Sequence, residues 1–203
     1  MKKKVKVCGL TRPRDIRLAV SLGTDFVGFV VAPSKRSVSL ELLESLVGDV
    51  PATVTTVAVV VNPTREESDR ILQLTDRIQF HGDEAPEFCA RYGRRAIKAF
   101  RIRQAADLDR LKAYESSVGA FLLDSFMQGQ QGGTGHTFPW AYLENRTFAL
   151  PTFLAGGLKP ENACQAMAVR SVIGLDLSSG LEEAPGLKNE ELMHRFFSQV
   201  KGS

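Results

Sequence analysis

The side chains in this 203-residue chain that could do chemistry stand where apolar runs end. Cys8 closes "KVKVC" and precedes a Gly-Leu-Thr turn, and Asp124 closes "AFLL", where a carboxylate is awkward for packing. A thiol and a carboxyl on opposite sides of one cleft can act as general base and general acid on a single substrate. Two glycine-bearing stretches, "LAGGLKPEN" (154–162) and "GLDLSSG" (174–180), each end an apolar run and open a helix-like segment. Glycine lets a backbone approach a ligand closely, and a helix start offers N–H groups to an anion. Gly156, Gly157, Ser178 and Ser179 therefore read as a phosphate cup. Arg36 in "APSKRSVS" has the fork geometry to clamp a carboxylate. His81 in "FHGDE" can orient or polarise a substrate, and Asp176 ends the last apolar run. Each has a plainer role: Cys8 as a small buried hydrophobe, Asp124 as a turn cap, Arg36 as a solvated cation, His81 as a structural hydrogen-bonder, and the glycines as tight turns.

Those residues need elements that bring them to one place. Eight β-rich runs recur along the chain: "KVKVC", "FVGFVV", "TVAVVV", "RIQF", "RRAIKAF", "GAFLLD", "PTFLA" and "SVIGLD". Segments with helical spacing separate most of them, such as Ile16-Ala19-Val20, Leu42-Leu43-Leu46-Val47 and Ala105-Leu108-Leu111. Thr11 with Pro13, Asn62 with Pro63, and Lys159-Pro160-Glu161 read as helix openings. Several strands are apolar at consecutive positions, as in parallel sheets covered on both faces. The fold class is α/β, a single-domain (β/α)8 barrel over residues 1–203. An open doubly wound sheet is the rival, but no GxGxxG follows the first strand. A barrel assembles its site at the C-terminal strand ends, with phosphate at the loops after strands 7 and 8. Cys8, Arg36, His81, Asp124, Gly156, Gly157, Asp176, Ser178 and Ser179 all fall there. Residues 125–138, rich in Gly and Gln, read as a mobile loop over the site.

Composition narrows the function classes. Three scattered cysteines with no CxxC suggest neither a disulfide framework nor a zinc knuckle, and fit a reducing cytoplasm. His81, His136 and His194 lack ligand-like spacing, so no metal site is expected. The apolar runs are far shorter than a membrane helix, and the basic start "MKKK" leads to no cleavage site. A net charge of +3, spread through mixed-sign segments, does not point to nucleic acid and suits a small anionic substrate.

From end to end the chain resembles the phosphoribosylanthranilate isomerase family, through "KVCGLT", "GTDFVGFVVAPSKRSVS", "VAVVVNP", "QFHGDE", "LLD", "GGTGHTFPW", "LAGGLKPEN" and "GLDLSSGLEEAPGLK". The resemblance implies a cofactor-free Amadori rearrangement of N-(5-phosphoribosyl)anthranilate to 1-(o-carboxyphenylamino)-1-deoxyribulose 5-phosphate in tryptophan biosynthesis. It makes Cys8 the general base, Asp124 the general acid and Arg36 the holder of the anthranilate carboxylate. Gly156, Gly157, Ser178 and Ser179 fall on its phosphate-binding turns, with His81 and Asp176 near the substrate. The partner implied is a small-molecule substrate, with neither nucleic acid nor membrane, and the chain is expected to be a monomer or homodimer. A free thiol is mostly protonated at neutral pH and a free carboxyl mostly ionised, so both start in the wrong state. Burial and mutual charge are expected to keep Asp124 partly protonated, with N–H groups or cations offsetting that effect at Cys8. The chain departs from the family pattern at Pro139 and Asn189, where an aspartate is usual; changed loop stability, not lost activity, is expected. Two other readings remain: another phosphate-binding barrel isomerase or lyase, and a non-catalytic ligand-binding barrel.

Overall fold

The computed structural model describes residues 2–124, 140–143 and 145–200. Eight parallel strands close on themselves in chain order: β1 (Lys4–Cys8), β2 (Phe26–Val30), β3 (Thr55–Val60), β4 (Arg77–Phe80), β5 (Ala96–Arg101), β6 (Ala120–Asp124), β7 (Thr152–Ala155) and β8 (Gly174–Leu177). The last strand pairs with the first, so no edge is left open. The helices between them are α1 (Pro13–Ser21), α2 (Leu40–Gly48), α3 (Arg65–Leu74), α4 (Pro86–Ala90), α5 (Ala163–Ala168) and α6 (Glu190–Val200). Residues Ala105–Tyr114 between β5 and β6 form 3-10 turns that bury Leu108 and Leu111. An antiparallel hairpin that the sequence reading did not assign, β9 (Glu182–Ala184) and β10 (Leu187–Lys188), follows β8. The stretch 125–138, read as a loop, together with Pro139 and His136, lies outside the described residues. Among the described residues no helix is long and apolar enough to cross a membrane.

Strand alternation sorts the side chains into two shells. Val5, Val7, Val27, Phe29, Ala58 and Val60 point outward into one continuous core shared with the helices. Val57, Ile97, Ala99, Ala120, Leu122, Phe153 and Ala155 form a second cluster inside the barrel, joined by Phe26 edge-on to Phe153. The rest of the interior is polar: Lys6, Gln79 and Asp176 are buried there.

Two helix openings differ from expectation. Thr11 does not cap α1; its hydroxyl donates to the Gly186 carbonyl at 2.6 Å and ties the β1 loop to the hairpin. Thr64, not Asn62, caps α3, in a reciprocal box with Glu67. Asn62 instead takes a left-handed φ of 48° and accepts from the Asp83 N–H at 2.7 Å. Asn189 caps α6 by accepting from the Leu192 N–H at 2.9 Å, as an aspartate would.

The ends of β3 and β4 are pinned by one buried carboxylate. Glu84 accepts from the N–H groups of Asn62 and Gly82, and from Lys98 Nζ at 2.9 Å. Lys98 and Glu84 side chains are each 2 % exposed. Removing one member of such a pair strands the other charge, which typically costs about 3–5 kcal/mol. Glu84→Gln is expected to lower stability by about that amount. Chemical denaturation checks it, and a midpoint equal to that of the unmodified protein would contradict the pinning role.

Candidate active site

The mouth at the C-terminal strand ends holds Cys8, Arg36, His81, Asp124, Gly156, Gly157, Ser178 and Ser179, while Asp176 lies one layer below it inside the barrel. Cys8 ends β1 facing inward, two positions beyond Lys6. Cys8 is 7 % exposed. Beneath it, Lys6 Nζ donates to both oxygens of Asp176 on β8, at 3.0 and 3.1 Å. Gly28 on β2 leaves the space these groups need. A Cβ there would lie 2.8 Å from Cys8 Sγ and 3.1 Å from Lys6 Nζ. Burial pushes the Cys8 thiol above its ordinary range, and Asp176 adds to that; Lys6 and Lys188 pull the other way without cancelling it. The expected offset by cations is thus present but incomplete. Asp176, expected near substrate, spends both oxygens on Lys6.

Arg36 rises from the loop after β2 and grips Glu182 of the hairpin through Nε at 2.9 Å and Nη2 at 2.7 Å. Lys188 Nζ, itself buried, reaches the same carboxylate at 2.8 Å and the Ser178 carbonyl at 3.1 Å. Burial would raise the Glu182 pKa, but the hydrogen bonds from Arg36 and Lys188 outweigh it and hold the carboxyl below its usual value. Gly9, at φ 74°, lets the β1 loop pass close to Arg36 and Ser178.

Across the mouth, His81 Nε2 stands 3.3 Å from Asp124 Oδ2. Gln79 Nε2 lies 3.1 Å from His81 Nδ1. Asp124 shares its inward face with Leu122 and is registered with Ala155 on β7. A cavity of about 290 Å³ opens beside His81, its wall carrying Arg101, Arg103 and Arg110 together with Asp83 and Asp107.

The turn after β7 takes left-handed φ values at both Gly156 (85°) and Gly157 (65°), with Asn162 Nδ2 donating to the Gly157 carbonyl. A side chain at Gly180 would collide with the Leu158 carbonyl oxygen, so the turns after β7 and β8 lie against each other. The glycines and serines of the expected cup are therefore adjacent. Among the described residues no three His, Cys, Asp or Glu side chains gather as metal ligands would.

Residues 5–199 match the family model described as "N-(5'phosphoribosyl)anthranilate (PRA) isomerase". The chain belongs to that family. Its sequence is 42 % identical to the N-(5'-phosphoribosyl)anthranilate isomerase of Magnetococcus marinus, over 98 % of this chain and 95 % of that protein. Its fold is similar to the crystal structure of phosphoribosyl anthranilate isomerase from Thermotoga maritima, with a TM-score of 0.89, 33 % identity and full coverage of both chains. It is also similar, at a TM-score of 0.84 and 32 % identity over both full chains, to a phosphoribosyl anthranilate isomerase crystallised with reduced 1-(o-carboxyphenylamino)-1-deoxyribulose 5-phosphate.

Several residues that the structure brings to this end of the barrel were not singled out from sequence: Lys6, Gln79, Glu182 and Lys188. A signal existed for Lys6, since β1 alternates while most other strands do not, and its polar face must meet something inside a closed barrel. The tight fit at Gly28 is testable. Gly28→Ala is expected to cost about 1–3 kcal/mol through overpacking. It should also slow alkylation of Cys8, measured by mass spectrometry of the Cys8 peptide; an unchanged alkylation rate would show that the space has no bearing on the thiol.

Proposed function

We infer that this chain catalyses the Amadori rearrangement of N-(5-phosphoribosyl)anthranilate to 1-(o-carboxyphenylamino)-1-deoxyribulose 5-phosphate, with Cys8 as general base and Asp124 as general acid. The observation that carries the residue assignment is the convergence of Cys8, the His81–Asp124 pair and two abutting glycine turns on one barrel mouth. Asp124 protonates the ribose ring oxygen as the C1–O bond breaks, and the anilino nitrogen supplies the electron pair that forms the iminium. Cys8 as thiolate takes the C2 proton, and the C–H electrons neutralise the iminium to give an enolamine. Tautomerisation then leaves a ketone at C2. His81, its Nε2 3.3 Å from Asp124 Oδ2, holds that carboxyl in place. The backbone of Gly156, Gly157, Ser178 and Ser179 takes the phosphate. Arg36, with Nε and Nη2 engaged by Glu182, keeps Nη1 for the anthranilate carboxylate. In this reading the substrate is a small molecule and the enzyme a cytoplasmic monomer or homodimer.

Cys8→Ala and Asp124→Asn are each expected to lower kcat about 10²–10⁴-fold, the usual contribution of a positioned acid or base. Loss of substrate fluorescence measures it, and a Cys8→Ala enzyme of full rate would remove the base assignment. The pH profile tests the pair together. The step needs a protonated carboxyl and an ionised thiol, and a carboxyl normally titrates below a thiol. Between the two titrations each rise in pH gains thiolate and loses acid equally, so kcat/KM is flat. It falls only once the thiol is fully ionised. Because burial outweighs the neighbouring cations at Cys8, that fall is expected above about pH 8.5, the ordinary thiol value. A basic limb beginning near neutrality contradicts the assignment.

A further inference from the structure

The barrel interior holds one cation in a place where its charge is felt by the reacting thiol. Lys6 is 1 % exposed, which is rare for a lysine and needs a compensating partner. Asp176 supplies that partner through both oxygens. Lys6 and Asp176 are also registered directly opposite each other across the β1–β8 pairing. The carboxylate therefore fixes the ammonium immediately below Cys8. The missing side chain at Gly28 shows the convergence, since Cys8 Sγ and Lys6 Nζ both crowd the point its Cβ would occupy.

We propose that Lys6 is the positioning residue that makes the Cys8 thiolate accessible, with Asp176 as the clamp that holds Lys6 in that place. The proposal rests on the assignment of Cys8 as the base. A thiol buried among apolar groups alone would be a poor base near neutral pH, because ionising it would place an isolated anion in the barrel. With the Lys6 ammonium alongside, ionisation makes an ion pair instead. Burial works against the ammonium too, but Asp176 first and Cys8 second outweigh it and hold its pKa above the ordinary lysine value, so Lys6 stays charged through the working range. The other charged groups facing the thiol are Asp176 on β8, Lys188 on β10 and Arg36 in the loop after β2. Lys188 and Arg36 share one counter-charge, Glu182. Lys6 is the buried cation on the thiol's own strand, one inward-facing position below it. It takes no proton from the substrate and adds no chemical step.

The test reads the thiol directly. Cys8 alkylation by iodoacetamide is followed against pH by mass spectrometry of its peptide, so that Cys89 and Cys164 do not interfere. In Lys6→Met the midpoint is expected to rise by about one to three pH units, the effect of losing a close opposite charge. At neutral pH kcat should fall at least about tenfold, one unit's worth of thiolate, with KM little changed. Lys6→Arg, which keeps the charge, should restore most of the unmodified profile. Asp176→Asn releases Lys6 from its clamp and removes an anion near the thiol at once. A midpoint that rises is the result expected if the clamp holds Lys6 in place, and one that falls shows Asp176 acting only as an anion and overturns the clamp. This arm stands even where Lys6→Met fails to fold. A Lys6→Met or Asp176→Asn alkylation profile superimposed on the unmodified protein's overturns the proposal. A Cys8→Ala enzyme of full rate would instead sink the base assignment while leaving the alkylation shifts intact, so the two failures are distinguishable.

Discussion

The ion pair between Lys6 and Asp176 sits at the seam where the sheet closes, and much of the molecule is arranged around it. Side chains of a strand alternate between the two faces, so a slip of one residue in β1 against β8 would turn Lys6 out into the helix layer and Val5 or Val7 into the polar interior. Both outcomes strand a buried charge. The pair thus marks one register for the joint that makes the structure a barrel, and that same register puts Cys8 one step up, at the mouth. The same two side chains that mark the register of the seam lie directly beneath Cys8.

The second organising network lies above the mouth. Glu182, on a short hairpin, gathers Arg36 from the loop after β2 and Lys188 from its own neighbouring strand, while Lys188 also holds the Ser178 carbonyl. Thr11 adds a bond from the β1 loop to Gly186 of the hairpin turn. The loops after β1, β2 and β8 are therefore fastened to one clip. The Ser178 turn, through Lys188, and Arg36 share the Glu182 carboxylate as an anchor, so their separation is set by a few hydrogen bonds and not by long flexible loops. On the far side, the Lys98–Glu84 pair does the corresponding work for the ends of β3 and β4, and so for His81.

Much of this was legible in the sequence, for reasons specific to particular residues. The eight strands could be read because parallel strands buried on both faces are written as consecutive apolar residues, as in "FVGFVV" and "GAFLLD". The strand-end positions of Cys8, Asp124, His81 and the glycine turns followed from the barrel alone. Lys6 escaped because an alternating strand ordinarily has one face in water, whereas here the polar face is enclosed. The hairpin escaped because "EEAPGLK" is short and polar, and only Gly186, at φ 82°, marks its turn. Thr11 and Asn62 looked like caps by type and position, yet each is used for a contact distant in sequence, which no local pattern records. The departure at Asn189 matters less than its type suggests, since an asparagine caps α6 through the same kind of oxygen.

The closing seam joins residues about as far apart in the chain as this fold permits: Lys6 and Asp176 are separated by 170 positions. Lys6 and Asp176 stand on the first and last strands of the barrel, and the two halves of the grip between Arg36 and Glu182 lie 146 positions apart. During synthesis the first strand must wait, unpaired on one side, until the eighth has emerged. A fragment that lacks the last strand and the hairpin has no Asp176 to pair with Lys6 and no Glu182 to hold Arg36.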